Sequence, residues 1–93
     1  MKEGRCIATP FFSLFVRSVD APGRVAFIAG KKNGGAVWRN QAKRKLRAAW
    51  HQATATPQDY DVLLVANKKT ATVSSTEIAK VLDTALNDAG LIQ

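Results

Sequence analysis

Apolar and polar positions change their period several times along the chain. Between Arg5 and Val19 aromatic and β-branched residues dominate, a composition that suits a pleated strand. Pro10 has no amide donor, so it marks an edge, a bulge or the strand start. Beyond it the side chains alternate. Phe12, Leu14 and Val16 are uniformly apolar and are expected to face a core, while Phe11, Ser13, Phe15 and Arg17 put two rings, a hydroxyl and a cation on the other side. DAPG at 20–23 reads as a turn. A second strand is expected over 24–30, with Val25, Phe27 and Ala29 inward. Asn33, Gly34 and Gly35 break it and open a helix over 36–52, which ends before ATATP and its Pro57. YDVLLVA, 60–66, is nearly all apolar and reads as a strand covered on both faces or placed centrally. After a loop, NKKTATVS, a last helix begins: Ser74 and Glu77 have capping-box spacing. Ile78, Val81, Leu82, Ala85, Leu86 and Ala89 then make one apolar stripe, and Gly90 suits a C-cap. The order β-β-α-β-α predicts an α+β fold, a two-layer sandwich, in a single domain over 1–93.

Composition agrees with a soluble globular chain: 46% of its 93 residues are hydrophobic and 23% charged. The longest apolar run, Phe11 to Val16 with Ser13 inside it, is far too short to span a bilayer, and MKEGRCIATP lacks the pattern of a signal peptide. Cys6 is the only cysteine, which excludes a disulfide framework and zinc-ligand spacing. It is expected to be a half-buried apolar residue in a reducing cytoplasm.

Charge changes the picture more. The net charge is +7, and no Asp or Glu occurs between Asp20 and Asp59. Half of the 14 basic residues fall in KKNGGAVWRNQAKRKLR, 31–47. On a helix, Arg39, Lys43 and Arg47 form one row and Asn40 and Arg44 the next. Ala42, Leu46, Ala49, Trp50 and Ala53 supply the opposite, apolar arc, with Lys45 flanking it. Like charges four apart cost a helix roughly 0.2–0.5 kcal/mol per pair, a penalty that a bound polyanion removes. GKKNGGAV is not a phosphate-binding P-loop, because Ala36 and Val37 stand where Lys and Ser/Thr are needed. One His, His51, and no carboxylate or thiol at a suitable spacing leave no triad or metal site; Asp59 and Asp61 read as turn residues.

Gly30 to Arg47 resembles the signature of the bacterial ribonuclease P protein subunit: Lys-Lys, a short spacer, a small residue, then Ala-Val-x-Arg-Asn-x-x-Lys-Arg-x-(Leu/Ile)-Arg. Lys31, Lys32, Ala36, Val37, Arg39, Asn40, Lys43, Arg44, Leu46 and Arg47 match it in register. RVAFIAG and DYDVLLVA are similar to the family's flanking strands. The chain departs from the pattern at Gln41, where the family commonly has Arg, at Ala26 (Gly) and at Asn33 (Val or Ile). The family also carries a Phe-bearing helix before its first strand. MKEG begins almost at that strand: either the chain is truncated, its start is misassigned, or it lacks that helix, and without the helix apolar sheet surface would be exposed.

The resemblance implies a left-handed βαβ crossover and a role in an endoribonuclease that removes the 5′ leader of precursor tRNA. It implies that a large RNA subunit performs the hydrolysis with bound Mg²⁺, no residue of the protein being catalytic or a metal ligand. The implied partners are that RNA and precursor tRNA, with no membrane and no protein partner required, in the cytoplasm. Carried over by residue, Lys31, Lys32, Arg39, Asn40, Lys43, Arg44 and Arg47 face the RNA subunit, and Phe11, Ser13, Phe15 and Arg17 line a leader cleft. The second set agrees with the direct reading, since ring faces plus a cation suit single-stranded RNA. The basic helix alone also fits another class, a structural RNA-binding protein such as a small ribosomal component with no role in cleavage.

Overall fold

The computed structural model describes residues 4–20, 23–30, 34–53 and 59–90. Four strands and two helices follow the order β1 (Gly4–Ala8), β2 (Phe12–Ser18), β3 (Val25–Ala29), α1 (Ala36–Gln52), β4 (Tyr60–Ala66), α2 (Ser75–Asp88), with a 3₁₀ turn at Thr70–Thr72 between the last two. The α+β sandwich is as expected, with one strand more than the predicted order. The segment 5–19 holds two strands, because the chain reverses at Pro10. The Thr9 amide donates to the Phe12 carbonyl (3.0 Å), and Thr9 Oγ1 accepts from the Phe11 and Phe12 amides. Pro10, with no donor to lose and φ already set, occupies the turn between them. The predicted turn at 20–23 lies partly outside the described residues, as do Lys31, Lys32, Asn33 and Pro57.

The sheet runs β1-β2-β4-β3, with β1–β2 and β2–β4 antiparallel and β3–β4 parallel. Helix α1 makes the parallel crossover from β3 to β4. β4 lies between two neighbours, which explains its nearly continuous apolar run. Both helices cover one face. Phe12, Leu14 and Val16 of β2, Val62, Leu64 and Ala66 of β4 and Ala29 of β3 are buried there against Ala42, Leu46 and Ala49 of α1 and Ile78, Leu82 and Leu86 of α2. Val25 and Phe27 pack on the same core, half-buried at the sheet edge.

Polar contacts fix the ends of the elements. Ser74 caps α2, its Oγ accepting from the Glu77 amide at 3.2 Å. Gly90, just past the C-cap Ala89, takes φ 74°, a left-handed conformation that glycine adopts at little cost. Arg5 Nη2 donates to the Ala89 carbonyl (2.8 Å), tying edge strand β1 to the end of α2. Gln52 bonds Ser75 and Thr76, joining the end of α1 to the start of α2. Helix α1 begins after Gly35 with no side-chain cap. At Gly34 a Cβ would lie 2.8 Å from the Trp38 side chain, so the loop's approach to the first turn requires glycine.

Candidate nucleic-acid interface

Helix α1 separates its residues as the spacing predicts. Ala42, Leu46 and Ala49 are buried, and Trp38 and Trp50 pack half-buried beside them. Asn40, Arg44 and Arg47 are exposed, while Arg39 and Lys43 are half-buried along one flank. Arg39, Lys43, Arg44 and Arg47 form no ion pair among the described residues; every such pair centres on Asp61. The Arg47 guanidinium lies over the Phe27 ring at 5.5 Å, a cation–π contact that steers it toward the β3 edge of the sheet. Val37, in the first turn, is 73% exposed. His51 is exposed in the last turn. Lys45 is different: its Nζ donates to the carbonyls of Ala71 and Val73, each at 2.8 Å.

Among the described residues, no helix covers the other face of the sheet. Cys6, Phe15, Leu63 and Ala26 stand in register across all four strands, with Gly4, Arg17 and Asp61 in the next row. They border a cleft of about 710 Å³ lined by Cys6, Phe15, Arg17, Arg24, Asp61 and Leu63, among others. Phe15 is 42% exposed there, and Ile28, on the same face, 43%.

Of the four residues expected on this face, Phe15 and Arg17 line the cleft and Ser13 lies beside them, level with Val65. Phe11 does not join them. It precedes the strand, packs half-buried against the core, and its carbonyl accepts from Thr70 Oγ1. Cys6 is exposed rather than half-buried, because β1 is an edge strand and turns this side chain to the open face. The sequence reading missed Asp61, Leu63 and Arg24. Alternation within β4 could have shown the first two, since Val62, Leu64 and Ala66 point to the core, but the unbroken apolar run hid it.

Asp61 is a strand residue, not a turn residue, and it organises one end of the cleft. Its Oδ2 accepts from Arg17 Nη2 at 2.8 Å, and its Oδ1 from the Arg24 amide at 3.0 Å. The Arg17 hydrogen bond, then the Arg24 amide, hold its carboxyl below the ordinary carboxylate value. A lowered folded-state value means this stabilisation is complete above the unfolded value and disappears as pH falls through the folded one. Asp61→Asn should therefore flatten the acid limb of a plot of melting temperature against pH. An unchanged acid limb would show that the pair contributes nothing to stability.

A four-stranded sheet with helices on one face, an open cleft on the other and a row of cations with no acidic partner among the described residues defines a small basic α+β domain. The chain belongs to the Ribonuclease P family, whose model matches residues 1–90. The ribonuclease P protein component of Dehalococcoides mccartyi is 42% identical over 69 residues, 74% of this chain and 57% of that protein. The chain thus spans little more than half the length of that relative. The component from Symbiobacterium thermophilum is 33% identical over 97 residues, covering 98% of this chain and 82% of its own length. Among solved structures, the Staphylococcus aureus RNase P protein superposes with a TM-score of 0.77 over 99% of this chain and 86% of that one. The Thermotoga maritima protein gives 0.76 over 92% and 84%. Both are 22% identical to this chain and show the shared fold. No helix among the described residues is long and apolar enough to cross a membrane.

Proposed function

We propose that this chain is the protein subunit of a cytoplasmic ribonuclease P ribonucleoprotein. It docks on the large RNA subunit through α1 and holds the 5′ leader of precursor tRNA on the open sheet face. The RNA carries out the hydrolysis, with Mg²⁺ on RNA and substrate phosphates. The protein's proposed part is positioning and charge. The observation that carries this reading is the face of α1. Arg39, Asn40, Lys43, Arg44 and Arg47 flank or occupy its outward side, where the cations lack acidic partners among the described residues, in a chain of this family. Arg forks suit phosphate pairs and Lys supplies a point charge. Lys31 and Lys32, of the same signature, are proposed to act with them.

In the cleft, the exposed Phe15 ring offers a stacking surface for a single-stranded base, and Arg17, held in place by Asp61, a charge for its phosphate. Ser13 adds a hydroxyl on the same face.

Reconstitution with a ribonuclease P RNA at low Mg²⁺ tests the reading. The wild-type chain should raise both the cleavage rate of precursor tRNA and the affinity for its leader. Phe15→Ala should lower leader affinity by about 1–3 kcal/mol, the worth of one base–ring stack, and leave affinity for the RNA subunit unchanged. No gain over RNA alone would overturn the proposal, as would selective capture of ribosomal RNA.

A further inference from the structure

The helix face and the cleft treat their cations differently. Arg39, Lys43, Arg44 and Arg47 of α1 have no acidic partner among the described residues, whereas Arg17, in the cleft, donates from Nη2 to Asp61 at 2.8 Å. Asp61 is itself anchored: its other oxygen accepts from the Arg24 amide at 3.0 Å, and its side chain is only 22% exposed. A carboxylate beside Arg17 repels phosphate and offsets the charge that the guanidinium offers it. What the pairing leaves is direction. Whichever Nη2 proton Asp61 takes, one fork of neighbouring N–H donors remains, and a guanidinium has no acceptor. Phe15 and Arg17 alternate with Val16 on β2, so they share the open face about 7 Å apart. Beside the Phe15 ring, the register neighbours Cys6 and Leu63 offer a weak hydrogen-bonding group and none. On the side away from Arg17 stands Ser13, whose hydroxyl donates or accepts and so does not discriminate.

We propose that Arg17, set by Asp61, reads the base that lies on Phe15 and selects an edge with adjacent acceptors. In single-stranded RNA the Watson–Crick and Hoogsteen edges are both open to side chains. Guanine offers O6 beside N7, the commonest partner of an arginine fork, and cytosine offers O2 beside N3. Adenine sets its N6 amino donor beside N7 and N1, and uracil sets N3–H between its carbonyls, so each turns a donor toward the fork. Guanine and cytosine are therefore preferred at that leader position, with Asp61 as the positioning residue. This inference rests on the leader-cleft reading and adds to it a base preference, carried by a fixed residue pair rather than by charge.

The test is the affinity of the reconstituted ribonucleoprotein, full chain plus a ribonuclease P RNA, for precursor tRNAs whose leader is changed to each base, one position at a time. At one position guanine and cytosine should bind roughly 5- to 100-fold tighter than adenine and uracil, the worth of a bidentate pair. Arg17→Lys keeps the charge and loses the fork, so it should bring the four bases within about twofold of one another. Asp61→Asn turns an amide toward Arg17 and removes the negative charge. It should narrow the base ratio while leaving affinity for adenine and uracil leaders no lower than that of wild type, whereas a merely structural role would weaken all four leaders alike. Four bases bound alike by the wild type, or adenine or uracil preferred, overturn this proposal alone, as does a preference that survives Arg17→Lys. A base ratio unchanged in Asp61→Asn, or a uniform loss, overturns the positioning role. No leader affinity gained from the protein, or none lost in Phe15→Ala, overturns the cleft reading itself. Should Asp61→Asn not fold, Arg17→Lys still decides, because the Arg17 side chain is half exposed and a lysine fits its place.

Discussion

Leu46→Ala will lower the free energy of unfolding by about 2–5 kcal/mol, the range for truncating a fully buried leucine. Leu46 is 0% exposed and sits midway along the inward arc of α1, between Ala42 and Ala49. The buried α1 residues on either side of it, Ala42 and Ala49, are too small to fill the space it leaves. A domain of this size has only about 5–15 kcal/mol in hand, so the loss is a large share of the whole. Chemical denaturation should show a lower midpoint at constant slope. An unchanged midpoint would mean that α1 is rotated relative to the arrangement described. Where the variant remains folded, its RNA affinity should be that of wild type, because Leu46 reaches no solvent.

Arg39→Ala together with Arg44→Ala should show the opposite signature. Each removes a cation without an acidic partner among the described residues, so the salt slope for RNA should fall by about one unit per residue, about two for the pair. Fold stability should hold or rise slightly. Arg39 stacks one turn before Lys43, and relief of a like-charge pair is worth about 0.2–0.5 kcal/mol. Binding that falls while the melting temperature does not is the mark of a surface whose charges serve a partner. Unchanged binding across the salt series would remove these residues from the interface.

What could be read without coordinates was whatever local period records. The limits of α1, the division of its faces, the Ser74 cap and the inward residues of β2 all follow from repeats of two or of three to four positions. What could not be read depends on neighbours far along the chain. β1 becomes a strand by pairing with β2 across a turn at Pro10, and this turns Cys6 outward. Asp61 acquires its role from Arg17, 44 positions away, and Lys45 from carbonyls 26 and 28 positions on. Phe11 fits the alternation of its segment but lies just before the strand, where the turn returns it to the core. Of the seven cations in the basic block, helix geometry alone set Lys45 apart, and only the fold shows what it does.

Strand β2 holds core and cleft on alternate residues: Phe12, Leu14 and Val16 on one side, Ser13, Phe15 and Arg17 on the other. Inserting or deleting one residue within it would exchange the two sets, sending Arg17 toward the helices and Leu14 into water. Such a change would abolish folding and recognition in one step, with no intermediate form to select. The spacing along β2 is therefore frozen, and the cleft can change its preferences only by substitution in place, at Ser13, Phe15, Arg17 and their neighbours on β4.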